Sequence, residues 1–229
     1  MPAIESGLTR NQHEQAIYAC TDHGCSAGHH PTVMTDIYDS DKHIAVWNRN
    51  LSDSLEDSVA RFIDANPHYK TSIAVTPENA YVSVKASLGN FDATELCEDI
   101  AELVDMFCML FALERAGLRL IVLNTAMCPK FHVDRIPCRL VTTYQGVATQ
   151  WLPQERVNRS KLGHGSGGMT DDRSGLFENN GDIQQLKTGD VALLKGDLWE
   201  GNEGRGLVHR SPAVTRNEHR LLLTLDFMS

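Results

Sequence analysis

The sequence of 229 residues lacks any uninterrupted apolar run of the roughly 18 residues that a membrane-spanning helix needs. Its first ten residues, MPAIESGLTR, also lack the basic start and apolar stretch of a secretion signal. We therefore expect a cytoplasmic protein with no membrane partner. In that reducing compartment, the six cysteines are expected to be thiols or metal ligands rather than disulfides.

The sequence also lacks an excess of positive charge, with 21 basic against 30 acidic side chains and a net charge of -9. Nucleic-acid binding requires a basic face that neutralises phosphates, so we expect no nucleic-acid partner. The charge is unevenly distributed: residues 1–129 contain 8 basic and 18 acidic side chains, and residues 130–229 contain 13 and 12. The nearly neutral second half is therefore better suited to bind an organic acid beside a cation.

No internal repeat or low-complexity tract is present, and 41% hydrophobic residues are typical of a globular chain. Apolar residues at spacings of three and four predict a long helix from Asp92 to about Ala116, ended by Gly117. A helix is also predicted after Ser52 or Asp53. Short β-prone runs follow, separated by Gly, Pro and Asp turns, at residues 119–124, 138–144, 191–194, 207–210 and 220–227. This order predicts an α+β fold with the helices packed on one face of a β-core.

The domain organisation follows from the same patterns. Residues 1–30 show no sustained hydrophobic period and are interpreted as an irregular arm that contains Cys and His. Residues 31–229 are predicted to form a single domain, with helical support over 52–117 and a β-core over 118–229.

Two polar side chains in the strand region carry the main chemical hypothesis. His132 and Asp134 are two residues apart, so on an extended strand both side chains project from the same face. An imidazole and a carboxylate delivered in this way are adjacent ligands for a divalent metal. Downstream, His209 precedes a Ser-Pro turn and Arg220 follows eleven residues later. Two His and one carboxylate leave coordination positions open, which is typical of non-haem Fe(II) oxygenases.

The pattern His132-x-Asp134, a distant His209 and Arg220 at the start of the last strand resembles the 2-oxoglutarate/Fe(II)-dependent oxygenases over roughly residues 118–227. The resemblance implies a double-stranded β-helix, a jelly-roll and cupin-like core. It also implies that Fe(II) or another divalent metal is bound by the triad and that Arg220 pairs with the far carboxylate of 2-oxoglutarate. The whole chain, with FHVDRIPCRLVTTYQG, LLKGDLWEGN and HRSP, also resembles an uncharacterised bacterial family, a domain of unknown function.

One position departs from the oxygenase pattern. Many of these enzymes have Ser or Thr two residues after the Arg, where this chain has Leu222, and Thr224 lies on the same strand face as Arg220 and is the candidate substitute. Candidate second contacts to an acid cosubstrate, each with ordinary sheet packing as the alternative, are Asn124, Tyr144 and Thr142.

Two further groups of residues are candidates for binding. A second metal, zinc in particular, is suggested by the soft and borderline ligands of the arm, with a solvent-exposed segment as the alternative: Cys20, His23, Cys25, His29 and His30. A substrate pocket at the mouth of the β-core is suggested by three side chains, with buried packing as the alternative for each Trp: Trp151, Lys195 and Trp199.

The sequence lacks other familiar catalytic motifs. The Gly-rich stretch at residues 163–175 has no Gly-Lys-Ser/Thr phosphate loop, and Ser166 is not part of a nucleophile elbow. The leading hypothesis is therefore a dioxygenase with an unidentified small-molecule or protein substrate. The alternative is a non-catalytic metal-binding protein on the same fold, in zinc homeostasis.

Overall fold

The computed structural model describes residues 24–216 and 218–228. Its α-helices are α1 (Asp53–Ala65), α2 (Ala80–Ser87), α3 (Thr94–Phe111) and α4 (Asp171–Ser174). Single 3₁₀ segments lie at Pro31–Tyr38, Gln154–Arg156, Arg159–Lys161, Gly163–Ser166 and Asn180–Asp182. The strands are β1 (Cys25–Gly28), β2 (Ile44–Trp47), β3 (Lys70–Val75), β4 (Ala116–Leu123), β5 (Cys138–Gln145), β6 (Gln150–Leu152), β7 (Gln184–Gln185), β8 (Val191–Lys195), β9 (Val208–Arg210) and β10 (Arg220–Phe227).

Within the described residues, the strands form two sheets. The large sheet has seven strands in the order β1-β2-β8-β5-β10-β4-β3, and the small sheet has the order β7-β6-β9. An isolated antiparallel bridge between His132 and His209 adds the segment before β5 to the free edge of β9. From β4 onwards the chain passes repeatedly between the two sheets. The fold is therefore α+β, as predicted, and contains a large sheet.

Three apolar clusters divide the core. The first contains buried residues of α1, α2 and α3 and of the sheet face that carries Leu221 and Leu223 of β10, and Phe107 of α3 is among them. The second lies on the opposite face and includes Trp151 of the small sheet. The third covers the small sheet and includes Phe131 and Phe177. Each large side chain buried in this way stabilises the fold by about 1.5–3 kcal/mol.

The first helix begins where the sequence predicts it. Ser52 is the N-cap of α1, and its hydroxyl accepts a hydrogen bond from the Leu55 amide at 3.3 Å. The apolar face of α1 is buried through Leu55, Val59 and Phe62. That amphipathic pattern anchors the helix to the first cluster.

Several element boundaries differ from the predictions. Helix α3 ends at Phe111 rather than near Ala116, and Gly117 lies inside β4. Cys25–Gly28, placed in the irregular arm, form β1, which pairs in parallel with β2. The strands β3, β6 and β7 were not predicted, because they are short or only half-buried and so lack a clear hydrophobic pattern. The packing of all N-terminal helices on one face of the core stays a prediction. None of the helices in residues 24–216 and 218–228 is long and apolar enough to span a bilayer.

Candidate metal and cosubstrate site

The bridge between His132 and His209 builds the centre of the site. Each backbone N–H donates to the carbonyl of the other residue at 3.0 Å, and in such an antiparallel pair the two side chains lie on the same face. The ring centroids are consequently only 4.6 Å apart. His209 is 8% exposed at its side chain and His132 is 34% exposed, so one ring is buried and the other faces the opening.

Asp134 joins the two rings because it lies two residues after His132 on the extended segment. Its Oδ1 is 3.7 Å from Nε2 of His132, and its Oδ2 is 3.4 Å from Nε2 of His209. Ligand atoms of the three residues all lie within 4.8 Å of one another. The structure thus brings together the three side chains that the sequence nominates for a metal.

The hydrogen bonds of both imidazoles leave Nε2 of each ring free to bind a metal. Nδ1 of His132 lies 3.0 Å from the Lys130 carbonyl, and Nδ1 of His209 lies 3.1 Å from the Leu207 carbonyl. A carbonyl only accepts, so each Nδ1 donates a hydrogen, and in the neutral ring Nε2 then carries the lone pair. Burial, and then the neighbouring His209, lower the pKa of His132, which favours its neutral form.

The carboxylate of Asp134 is ionised and held in place. Burial opposes its ionisation, but the neighbouring His209 and Arg139 lower its pKa to about 2. Nη1 of Arg139 donates to Oδ2 of Asp134 at 2.7 Å. Two imidazole lone pairs and a carboxylate therefore face one small space, and a cation in that space would satisfy all three. The donor set fits a divalent metal.

Arg220 lies at the first position of β10 and is 0% exposed. Its guanidinium donates to three hydroxyls, those of Ser211 at 2.8 Å, Thr149 at 2.9 Å and Thr143 at 3.2 Å. Among the described residues, no carboxylate pairs with it. Burial lowers the pKa of Arg220 to about 10, which still leaves it charged at neutral pH. A buried cation without a counterion is costly, so this site fits an anionic ligand.

The backbone beside Arg220 depends on a glycine. Gly146, in the turn after β5, has a φ of 86°, and a Cβ there would lie 2.6 Å from the His219 carbonyl oxygen. Only glycine adopts this conformation at such a close approach without strain. The end of β5 can therefore lie against the residue that leads into Arg220.

One cavity contains both features. His132, His209 and Arg220 line it together with Thr149, Ser211 and Thr224. Its apolar wall consists of Val141, Leu194 and Leu222. Thr224, the candidate substitute on the strand face of Arg220, is thus in the cavity. A metal at the triad and an acid at Arg220 would occupy the same space.

Sequence reasoning missed the hydroxyls that hold Arg220. Ser211 lies two residues after His209 and so shares its strand face, a spacing that could have identified it. Thr143 and Thr149 could not be predicted from the sequence, because their contacts with Arg220 join positions more than 70 residues apart. Of the threonines on β5, Thr143 faces Arg220, whereas Thr142 has a buried hydroxyl without a hydrogen-bond partner.

The three residues predicted as second contacts to the cosubstrate, Asn124, Tyr144 and Thr142, do not line the cavity. Asn124 is exposed after the end of β4 and does not line the cavity. Tyr144 is buried in the first cluster, on the helix side of the large sheet, and its hydroxyl donates to Asp99 of α3 at 2.6 Å. The bulge in the pairing of β5 with β10 falls between Leu221 and Leu222, which the sequence pattern did not reveal.

The three predicted pocket residues do not line the cavity either. Lys195 is 1% exposed, donates to the Asp39 carbonyl at 2.8 Å and lies over the Trp199 ring. Trp199 packs against Tyr38 and Phe111 at the first cluster. Trp151 is buried between the sheets, in register with His209. Both Trp rings thus pack against other side chains, which is the alternative that we gave for them, and Lys195 is buried outside the cavity.

The Cys/His arm shows no metal cluster in the part that the structure describes. Cys25 is disulfide-bonded, contrary to the expectation of a thiol, and a disulfide sulfur does not serve as a thiolate ligand. His29 and His30 are exposed, and Nδ1 of His30 accepts from the Thr32 amide at 3.3 Å. Cys20 and His23 lie outside the described residues. The triad is the only candidate metal cluster within residues 24–216 and 218–228.

The part of the chain that the structure describes therefore holds a candidate metal centre beside a buried arginine that has no carboxylate partner there. By sequence, the chain belongs to the family described as a protein of unknown function (DUF1826), whose model matches residues 28–226. The resemblance to an uncharacterised family is thus confirmed. No curated protein sequence matches the chain.

Several solved structures are similar to this chain in fold. The dioxygenase for auxin oxidation from rice matches with 13% identity and a TM-score of 0.45, over 82% of this chain and 74% of that one. The Arabidopsis thaliana enzyme AtDAO1, bound to 2-oxoglutarate, matches with 9% identity and a TM-score of 0.49, over 90% and 92%. HygX from Streptomyces hygroscopicus, with nickel and 2-oxoglutarate bound, matches with 12% identity and a TM-score of 0.42, over 84% of each chain. At these identities and TM-scores, none of them establishes the function of this chain.

Proposed function

We propose that this protein is an Fe(II)- and 2-oxoglutarate-dependent oxygenase built on a double-stranded β-helix. The observation that carries the proposal is the buried Arg220, without a carboxylate partner, in the same cavity as His132 and His209, whose ligand atoms lie within 4.8 Å of that of Asp134. A metal site alone does not require a buried guanidinium, and an arginine site alone does not require two imidazoles with free Nε2 atoms.

The topology supports the same class. From β4 to β10 the chain places β4, β5, β8 and β10 in the large sheet, and the His132 segment, β6, β7 and β9 in the small one. This is the strand alternation of a jelly roll, whose two sheets enclose a site between them.

Each side chain has a defined task in this proposal. His132, Asp134 and His209 would hold the metal, and Arg220 would bind the far carboxylate of 2-oxoglutarate through parallel hydrogen bonds. Ser211, Thr143 and Thr149 hold the guanidinium in its orientation. When bound, iron together with 2-oxoglutarate and O2 would supply the oxidising chemistry: one oxygen atom would enter succinate as the keto acid loses CO2, and the other would oxidise the organic substrate. The apolar wall of the cavity excludes water from the acid.

The test is anaerobic reconstitution with Fe(II) followed by titration with 2-oxoglutarate, monitored at the visible metal-to-ligand charge-transfer band. We expect the band in the wild type and none in His132→Ala. Arg220→Ala should weaken 2-oxoglutarate binding by about 10- to 100-fold, the effect of losing charged hydrogen bonds. Arg220→Lys, which keeps the buried charge, serves as a second variant if the alanine variant does not fold.

The control is Arg173→Gln, which removes an arginine whose side chain is 82% exposed. It should leave the band and the affinity unchanged. A wild-type protein that binds iron but gives no band with 2-oxoglutarate would contradict the proposal, as would full affinity in both Arg220 variants.

A further inference from the structure

Arg119 is a second arginine of the cavity without a partner. It lies on β4 directly opposite Thr224 of β10, so the two side chains share a sheet face, and both line the cavity. Arg119 is exposed and makes no ion pair or hydrogen bond with any residue that the structure describes. Because an exposed arginine is solvated by water, it is the position of Arg119 on the cavity lining, and not its lack of a protein partner, that makes it a candidate ligand contact.

The other arginines of the cavity are accounted for. Arg139 pairs with Asp134 and Asp226, and Arg210 lies 3.4 Å from Asp171. Arg220 is assigned to 2-oxoglutarate in the proposed function, on which this inference rests. Arg119 is thus the lining arginine with no task among the described residues.

The charge of the site points to the missing partner. Four arginines line the cavity and three carboxylates pair with them, which leaves one positive charge. A divalent metal raises this to three, and the dianion 2-oxoglutarate lowers it to one. One further negative charge would balance the loaded site.

Arg119 is also separated from Arg220. Arg119 pairs with Thr224, which lies four residues after Arg220 along β10. At the usual rise of a strand this is a distance of about 13 Å. Asp226 lies two residues after Thr224 on β10. It accepts from Arg139, and Arg139 also donates to the metal ligand Asp134. Arg119 therefore lies toward the metal-ligand end of the sheet, away from the acid site at Arg220.

We propose that the substrate is an organic acid with a single carboxylate and that Arg119 binds this carboxylate at the rim of the cavity. The arginine selects the substrate by charge, and its planar group suits a carboxylate. The rest of the acid would extend from the rim toward the apolar wall formed by Val141, Leu194 and Leu222.

The test compares acids with their neutral amides. Protein loaded with diamagnetic Zn(II) in place of Fe(II), and with 2-oxoglutarate, is titrated with phenylacetate, phenylacetamide, hexanoate and hexanamide by ligand-observed NMR. We expect each acid to bind about tenfold more tightly than its amide, the value of one charge-assisted contact. Arg119→Gln should remove this preference while the affinity for 2-oxoglutarate changes less than about twofold.

Arg61→Gln is the matched control, because Arg61 is an exposed arginine of α1 that does not line the cavity. It should keep the preference for the acids. Equal binding of acids and amides, no binding of either, or a preference that survives Arg119→Gln would overturn the inference. So would a loss of 2-oxoglutarate affinity in Arg119→Gln, because Arg119 would then belong to the cosubstrate site. Failure of the oxygenase proposal is distinguished by the absence of the Fe(II) charge-transfer band in the wild type.

Discussion

At the scale of single residues, Arg139 connects the metal ligand Asp134 to the last strand. Its Nη1 donates to Asp134 at 2.7 Å, while Nε and Nη2 donate to the two carboxylate oxygens of Asp226 at 2.8 Å each. One guanidinium thus fixes the carboxylate of the segment that follows His132 against the last strand of the large sheet. Partners that orient a ligand in this way tune the affinity of a metal site.

We expect Arg139→Gln to lower the affinity for divalent metal by about 10- to 100-fold, because Asp134 loses the group that orients it. The measurement is a competition titration of Ni(II) against a coloured chelator, with circular dichroism to verify folding. Arg139→Lys, which keeps one charged contact, should have a metal affinity between those of the wild type and Arg139→Gln. The exposed Arg173→Gln should bind like the wild type, and wild-type affinity in a folded Arg139→Gln protein would show that Asp134 needs no such support.

Residue spacing explains what could be predicted at this scale. The pair His132-x-Asp134 is visible because both ligands lie on one short extended segment. The role of Arg139 could not be predicted, because it depends on a contact with Asp226, which is 87 positions away in the chain. Tyr144 was assigned to the cosubstrate, although alternation along β5 places it on the helix side.

At the scale of elements, the end of α3 shows how a local rule was overridden. The sequence offered Gly117 as the natural end of the helix, but the chain turns at Ala112, which has a φ of 51° and a ψ of 44°. The Leu113 amide donates to the Cys108 carbonyl at 2.9 Å and the Ala112 amide to the Met109 carbonyl at 3.4 Å. This is a Schellman motif with alanine in the position that favours glycine. Pairing of β4 with β3 and β10 requires residues from Ala116 onwards to be extended.

We expect Ala112→Gly to stabilise the protein by up to about 1 kcal/mol, because glycine adopts the left-handed conformation without the steric cost of a Cβ. Urea unfolding followed by circular dichroism measures the change. Ala101→Gly, in the interior of the same helix, is the matched control and should destabilise the protein by about 1 kcal/mol. The same loss of stability in both variants would mean that the strain at Ala112 is negligible.

At the scale of the whole molecule, the site joins two layers that fold from distant parts of the chain. His132 and Asp134 precede β5, His209 lies on β9 of the small sheet, and Arg220 opens β10 of the large one. The alternation of strands was predictable in outline from the short β-prone runs. The order of strands in each sheet was not, because it depends on long-range pairings such as β2 with β8, which no local pattern encodes.

This arrangement predicts that thermal stability rises in two steps, first with metal and then with 2-oxoglutarate. The measurement is Tm by differential scanning calorimetry. At a Ni(II) concentration of about 100 Kd, stability should rise by about 2.7 kcal/mol, or about 5–10 °C for a chain of this size. 2-Oxoglutarate should add a further increase only when the metal is present, because the proposed site combines the metal with Arg220. His132→Ala should lose both increments, whereas Arg220→Lys should keep the metal increment and show a reduced second one. If 2-oxoglutarate raised Tm equally with and without metal, the acid would bind independently of the triad, and the two halves of the cavity would not act as one site.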